Sequence, residues 1–359
     1  MPEVKMLDLA AQYAALKPEI DAAMQRVLAD GRYILGKDVL AFEREMATDA
    51  GKRHAIGVSS GTDALTAALW AVGVGHGDEV ITTAFSFFAT AGCIARLGAT
   101  PVFADIEAGT FNLDPHSALA RVTARTKAIV PVHLFGRPAT RLEVGLPIVE
   151  DAAQAVGSSG LGDLAAISFF PSKNLGAAGD AGMVLADDDG IAERVRLYRT
   201  HGQVARHVHA VPGANFRLDT LQAAILRVKR PHLAAWTERR RANAETYRTL
   251  LEGTPLVLPD DAPGHVWNQF VVRAPRRDEL RAFLAGRNVE TEIYYPTPLH
   301  RQPCFERMES MPEAERAARE VLALPVHPQL VHEHLVYVAD SIRAFFRCCL
   351  LYTSPSPRD

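Results

Sequence analysis

Apolar residues in the first fifty positions recur at helical spacing over Ile20–Asp30 and Val39–Ala50, separated by the turn-forming Gly31 and Gly36. Two helices therefore open the chain. Beyond them the pattern changes to short unbroken apolar runs: Val80–Thr83, Pro101–Asp105, Ala128–His133, Ile148–Asp151, Ala165–Phe170 and Met183–Ala186. Helical segments, Asp63–Val72 and Phe88–Leu97 among them, alternate with these runs. Continuous rather than alternating apolar strands are buried on both faces, so the pattern predicts an α/β domain with a mainly parallel sheet between helices.

From Leu218 to Leu251 the pattern is long and helical, and its charge run Glu238-Arg239-Arg240-Arg241 reads as a solvated helix face. Two further strand signals, Val266–Arg273 and Val289–Tyr295, flank a helix at Arg277–Leu284. This second half predicts a small C-terminal α+β domain. The expected division is a large domain over 1–240 and a small one over 241–348, the latter ending on a helix at Glu333–Phe346. The last stretch, Cys349 to Asp359, reads CLLYTSPSPRD. It resembles translated sequencing-adapter sequence and is expected to be a non-native tail outside the fold.

Composition narrows the class. The 359 residues are 48% hydrophobic and 23% charged with a formal net charge of −3, which offers neither nucleic acid nor an anionic membrane surface a basic partner. No run reaches membrane-spanning length, and the N-terminus lacks a signal-peptide pattern. The four cysteines, Cys93, Cys304, Cys348 and Cys349, have neither metal-ligand nor disulfide-framework spacing, so no metal is expected and a reducing cytoplasm fits. Gly73-Val74-Gly75-His76-Gly77 follows a helix and precedes a strand, the reverse of a dinucleotide fingerprint, and reads as a loop.

Three segments carry candidate chemistry. In Gly57–Leu65, small residues precede a helix opened by Thr62 and Asp63, which is either an anion site or a plain N-cap. In Ile148–Gln154 an apolar strand ends in Asp151, where a carboxylate can hold a pyridinium nitrogen or cap the next helix. In Ala166–Gly176 a strand leads into Lys173 among small and apolar neighbours. Such a lysine is a surface loop residue or, if desolvated, a nucleophilic amine. Together they supply a phosphate cradle, a partner for a pyridine nitrogen and a Schiff-base lysine, the parts that pyridoxal phosphate (PLP) asks of its protein.

The motifs LDLAAQYAALKPEI, GRYILG, HAIGVSSGTDAL, GDEVITTAFSFFATA, EDAAQAVG, SFFPSKNLGAAGDAG, NFRLDTLQAAIL and EIYYPTPLHRQP, in this order over nearly the whole chain, resemble the DegT/DnrJ/EryC1/StrS family of sugar aminotransferases. The resemblance implies the PLP-dependent transferase fold type I. It also implies transfer of an amino group from an amino acid, glutamate by family likeness, to a keto sugar nucleotide. Residue by residue, it makes Lys173 the cofactor-linked lysine, Asp151 the partner of the ring nitrogen and Gln154 the group near the ring hydroxyl. Phe87 would stack on the ring, and Gly61, Thr62 and Ser168 would hold the phosphate. Asn215 would reach the phosphate from the neighbouring subunit, which implies a homodimer with shared active sites. Tyr33, Tyr295 and His300 would line the sugar-nucleotide entrance. Relatives with His in place of this lysine act as dehydratases, so Lys173 favours transamination. The alternatives are an aminotransferase for an amino-cyclitol or another ketone, and a non-catalytic PLP-binding regulatory protein. A form in which shortened loops block the substrate is a further alternative. Two segments depart from the family pattern: the link over 136–150 lacks the usual crossover helix, and the loop over 157–163 is cut short.

Overall fold

The computed structural model describes residues 2–305 and 309–352, with side chains through Arg347. Strands β1 (His54–Val58), β2 (Glu79–Thr83), β3 (Thr100–Ala104), β4 (Thr126–Val130), β5 (Glu150–Asp151), β6 (Leu164–Ser168) and β7 (Gly182–Ala186) form two hydrogen-bonded groups, β1-β7-β6-β5 and β3-β2-β4. Parallel bridges Ile129–Ile148 and Val132–Asp151 join the groups into one sheet ordered β1-β7-β6-β5-β4-β2-β3. Only β7 runs against its neighbours. The connection from β6 to β7, Phe169–Ala181, turns back without a crossover helix, and it carries Lys173.

Side chains on the strands divide between two cores because strand residues alternate faces. On β6 and β7, Leu164, Ala166, Val184 and Ala186 pack with Leu65, Leu69 and Ile94. Ala165, Ile167, Met183 and Leu185 face Phe42, Met46 and Leu226 on the other side. Helices α1 (Leu9–Asp30), α2 (Lys37–Ala50), α3 (Gly61–Ala71), α4 (Ala89–Arg96), α5 (Pro115–Leu119), α6 (Asp189–Tyr198) and α7 (Thr220–Lys229) surround this sheet. The α/β expectation is met, although β1 gave no clear strand signal in the sequence. An exposed hairpin of β8 (Gln203–Ala205) and β9 (Val208–His209) lies between α6 and α7.

The long helical stretch breaks at Pro231, whose ring has no N–H to continue the ladder. A 3-10 turn, Arg230–His232, separates α7 from α8 (Leu233–Leu251). A separate core gathers Val4, Ala244, Tyr247, Trp267, Phe270, Leu280, Leu322, Leu335 and Ile342 around the antiparallel pair β10 (Phe270–Arg273) and β11 (Val321–Leu324). Helices α9 (Arg277–Ala285), α10 (Pro312–Glu320) and α11 (His332–Tyr352) complete this half. Two expectations change here. The Val289–Tyr295 strand is reduced to isolated bridges, Val4–Val289 and Glu292–Ala323. The last helix continues past Phe346 to Tyr352, into the stretch read as tail, while residues 353–359 lie outside the described ones.

The shortened link between β4 and β5 makes the parallel return with no helix. After a 3-10 turn, Leu134–Gly136, it crosses in irregular backbone and buries Leu142 against Ile81, Leu113 and Ile129. A groove of about 360 Å³ lies along it, walled by Leu142, Leu146, Val72 and Ile191.

Candidate active site

Parallel strands place their carboxyl ends along one edge of the sheet, where the loops that follow them converge. Asp151 ends β5, Ser168 ends β6, and the turn from β1 into α3 holds Ser60, Gly61 and Thr62. Strand β2 leads into the loop that carries Phe87.

Lys173 is partly buried, and desolvation pushes its amine down to about 8 while the nearby negative charge of Asp151 pushes it up. Burial wins, because an ammonium loses more hydration than one carboxylate at this separation returns. Asp151 is buried and each of its oxygens is engaged: Oδ2 accepts from Thr90 Oγ1 at 2.8 Å and Oδ1 accepts from the Ala153 amide at 3.2 Å. Thr90 in turn shares a 3.0 Å hydrogen bond with Ser86. The sequence reading missed Thr90 and Ser86, since nothing local marks a partner for a carboxylate on another strand.

Gln154 is buried and bridges two elements. Its Oε1 accepts from the Phe135 amide at 2.5 Å, and its Nε2 donates to the Tyr295 hydroxyl at 3.0 Å. Burial raises the Tyr295 phenol above its ordinary range, so it stays protonated. The Tyr295 ring lies 6.3 Å from that of Phe87, whose side chain is 57% exposed.

The α3 N-terminus fits against β6 and β7 only because two residues have no side chain. A Cβ on Gly61 would stand 2.6 Å from Ser168 Cβ, and one on Gly182 would stand 2.2 Å from the Ser60 carbonyl oxygen. Ser60 caps α3 by accepting from the Asp63 amide at 3.0 Å. That leaves the first amides of α3, at Gly61 and Thr62, without a hydrogen-bond partner among the described residues. Free amides at a helix start, beside the Ser168 hydroxyl, form an anion cradle.

These residues fit a phosphorylated pyridine aldehyde: a desolvated amine to attach to it, a hydrogen-bonded carboxylate, an exposed aromatic face and open amides for a phosphate. Lys173, Asp151, Gln154, Phe87, Gly61, Thr62, Ser168 and Tyr295 thus fall at the same edge of the sheet or touch a residue there. Three others do not join them. Asn215 is exposed on the segment that pairs with Thr200, and Tyr33 is exposed after α1. His300 is a correction: its side chain is 0% exposed, its Nε2 lies 3.2 Å from Glu315, and its ring faces Phe103, so it presents no surface to an entrance. A second correction concerns the Glu238–Arg241 run. Glu238 and Arg239 are exposed, but Arg240 is buried, because a helix turning every 3.6 residues points one of four consecutive side chains inward.

The chain matches the model of the DegT/DnrJ/EryC1/StrS aminotransferase family over residues 14–343. It is 49% identical to the "Pleiotropic regulatory protein" of Geobacillus stearothermophilus over 367 aligned positions, covering 96% of this chain and 99% of the relative. That alignment is longer than the 359-residue chain, so the relative has residues this chain lacks. The chain is 42% identical to the dTDP-3-amino-3,4,6-trideoxy-alpha-D-glucose transaminase of Streptomyces venezuelae, over 95% of this chain and 96% of the relative. The solved structure of S. venezuelae DesV in complex with a ketimine intermediate superposes with a TM-score of 0.92 at 42% identity, covering 96% of this chain and 99% of that one.

Proposed function

The chain belongs to the DegT/DnrJ/EryC1/StrS aminotransferase family, and from that premise we propose that it moves an amino group from glutamate to a keto sugar carried on a nucleotide. It is a PLP-dependent aminotransferase of fold type I. The acceptor class is supported by the relative named as a transaminase of a dTDP-linked amino sugar. The observation that carries the reading is the desolvated amine of Lys173 within electrostatic reach of the hydrogen-bonded carboxylate of Asp151.

Each residue then has a task. Lys173 would hold the cofactor through its aldehyde group and, once freed by the amino donor, its amine would carry a proton between the substrate carbon and the adjoining cofactor carbon, as base and then acid. When bound, the cofactor supplies an electron sink for the carbanion that this proton transfer creates. Asp151 would keep the ring nitrogen protonated, and Thr90 holds Asp151. Gln154 would lie toward the ring oxygen, Phe87 would cover a ring face, and Gly61, Thr62 and Ser168 would hold the phosphate. Tyr295 and Tyr33 contribute to the substrate approach.

We place Asn215 at the phosphate of a second copy, so the assembly is a homodimer with shared sites; the exposure of Asn215 supports this. We divide the chain near residue 240, in line with the separate core of Ala244–Phe345, to which Val4 of the N-terminal segment adds. Among the described residues no helix is long and apolar enough to cross a membrane, and we assign the protein to the cytoplasm.

Purified protein incubated with PLP is expected to develop visible absorbance that Lys173→Ala abolishes; a colourless wild type overturns the reading. Glutamate with a panel of keto sugar nucleotides and keto-cyclitols then separates the acceptor classes. The relative named as a pleiotropic regulatory protein favours testing a second reading, a PLP-binding regulator, which turnover in that panel rules out.

A further inference from the structure

Parallel strands are usually joined through a helix that covers the sheet. The irregular link between β4 and β5 leaves instead the groove of about 360 Å³. Residues of both shortened segments wall it, and both segments are tied to one buried pair, His133 and Glu150. The Ala139 amide donates to His133 Nδ1 at 2.8 Å, which leaves Nε2 to carry the ring's proton, 3.1 Å from Glu150 Oε2. The Gly162 amide donates to the same Oε2 at 2.6 Å.

Glu150 Oε1 is the open half of this carboxylate. It accepts no hydrogen bond among the described residues, yet it is not one of their sealed polar atoms. Glu150 is 8% exposed and lines the groove. Desolvation pushes its carboxyl up, but His133, the Gly162 amide and the charge of Lys52 bring it below its ordinary value, so it is ionised at neutral pH. A buried anion with one free oxygen is best satisfied by a cationic N–H donor. The rest of the lining agrees. Leu142, Leu146 and Ile191 give an apolar wall, and the charged residues are Glu143, Glu150, Asp163 and Asp188 against Arg141 alone. A cavity of this volume, mostly apolar with a polar group set at depth, has the form of a small-molecule site. Glu150 and Asp151 are successive on β5 and so face opposite sides of the sheet. The groove thus backs onto the cofactor's carboxylate, while neither Lys173 nor Asp151 lines it.

We propose that this groove binds a small organic cation, an ammonium carried on an apolar body, through an N–H donated to Glu150 Oε1. The apolar body lies against Leu142, Leu146 and Ile191, and the acids of the rim favour the cation's approach. The site stands apart from the aminotransferase reading and holds if that reading fails.

Calorimetric titration of the full chain, saturated with PLP, tests it. The probe is protonated N,N-dimethylcyclohexylamine, a tertiary amine that forms no imine with an aldehyde, so its binding does not report cofactor chemistry. One site per chain is expected, with a dissociation constant of about 1 mM or tighter, within reach of a ligand of this size. Cyclohexanol, which keeps the ring and lacks the charge, should bind about tenfold more weakly or worse, and Glu150→Gln should weaken the amine about 10- to 100-fold. Saturating glutamate should leave the amine's affinity unchanged. No saturable binding overturns the proposal, as does equal binding of cyclohexanol or an unchanged affinity in Glu150→Gln. Displacement by glutamate places the amine in the cofactor's cleft and overturns it too. If Glu150→Gln does not fold, the double variant Glu143→Lys with Asp163→Lys decides, since both side chains are exposed. It should weaken the amine roughly three- to tenfold, and an unchanged affinity sinks the site. A lysine- and leucine-rich helical peptide that binds where the amine does not marks a protein-docking face and overturns the small-molecule assignment. A chain that takes up no PLP removes the aminotransferase reading, while amine binding to it still reports on the groove.

Discussion

Thr90 donates its hydroxyl to Asp151 Oδ2 at 2.8 Å from the first turn of α4, across 61 residues of chain. With the Ala153 amide on Oδ1, this bond fixes the plane of a buried carboxylate. Ser86 is hydrogen-bonded to Thr90 and completes a chain of hydroxyls leading back into the loop that carries Phe87.

Replacing Thr90 with Val keeps the shape and removes the donor. Asp151 then has one fewer hydrogen bond and can rotate, so PLP affinity is expected to fall about tenfold, the low end of a bond to a charged group. Equilibrium titration of the apoprotein with PLP measures this; an unchanged affinity refutes the role given to Thr90.

The Lys173 amine, lowered to about 8 by burial, sets the pH dependence of cofactor uptake. Attachment requires the neutral amine, so its rate in the apoprotein should climb with pH through a midpoint near 8 rather than 10.5. Asp151 raises this amine, so Asp151→Asn should move the midpoint down. The sign for stability follows. Between about 8 and 10.5 the unfolded chain binds the proton that the folded chain does not, so the apoprotein gains stability as pH rises through that window. Stopped-flow absorbance and denaturant midpoints read the two effects.

Gly61→Ala drives a methyl into Ser168, whose Cβ would lie 2.6 Å away. The cost is expected at about 1–3 kcal/mol, as for other overpacked sites. Ser168→Gly in the same chain should return much of it, because it removes the atom that is struck. A denaturation double-mutant cycle measures the coupling, and strictly additive losses would show that the two positions do not touch.

Burial holds His265 neutral down to about 3, stacked 3.9 Å from the Trp267 ring and accepting its amide at Nδ1. Its folded value lies below its ordinary 6.5. Its contribution is therefore complete above 6.5 and is lost progressively as pH falls toward 3. His265→Asn, which can still accept from the Trp267 amide, should flatten this part of the stability profile, as urea midpoints at several pH values would report.

If Asn215 serves a second copy's site, mixing Lys173→Ala with Asn215→Ala protein should restore activity that neither has alone. Random pairing makes half the dimers mixed, each with one complete site, so recovery approaches roughly a quarter of wild type. No recovery after subunit exchange would argue that the sites are not shared.

Much of this was legible along the chain. Unbroken apolar runs marked six of the seven strands of the large sheet, since a strand buried on both faces has no polar positions to interrupt it. Lys173 and Asp151 stood out because Asp151 ends such a run and Lys173 closely follows one. His300 and Arg240 were misread for one reason: burial of a polar side chain depends on what other elements bring against it. His300 lies among residues of α10 and β3, and Arg240 under backbone of the 267–268 segment.

The succession of strands and helices and the kind of chemistry were legible in the sequence alone, through local periodicity and motif, which also singled out Lys173 and Asp151 as candidates. The tertiary structure decided which of those groups meet. Thr90 reaches Asp151 across 61 residues, Gln154 reaches Tyr295 across 141, and Gly61 seats against Ser168. Such contacts depend on sheet register and on helices seated to within an ångström, and no local pattern encodes either.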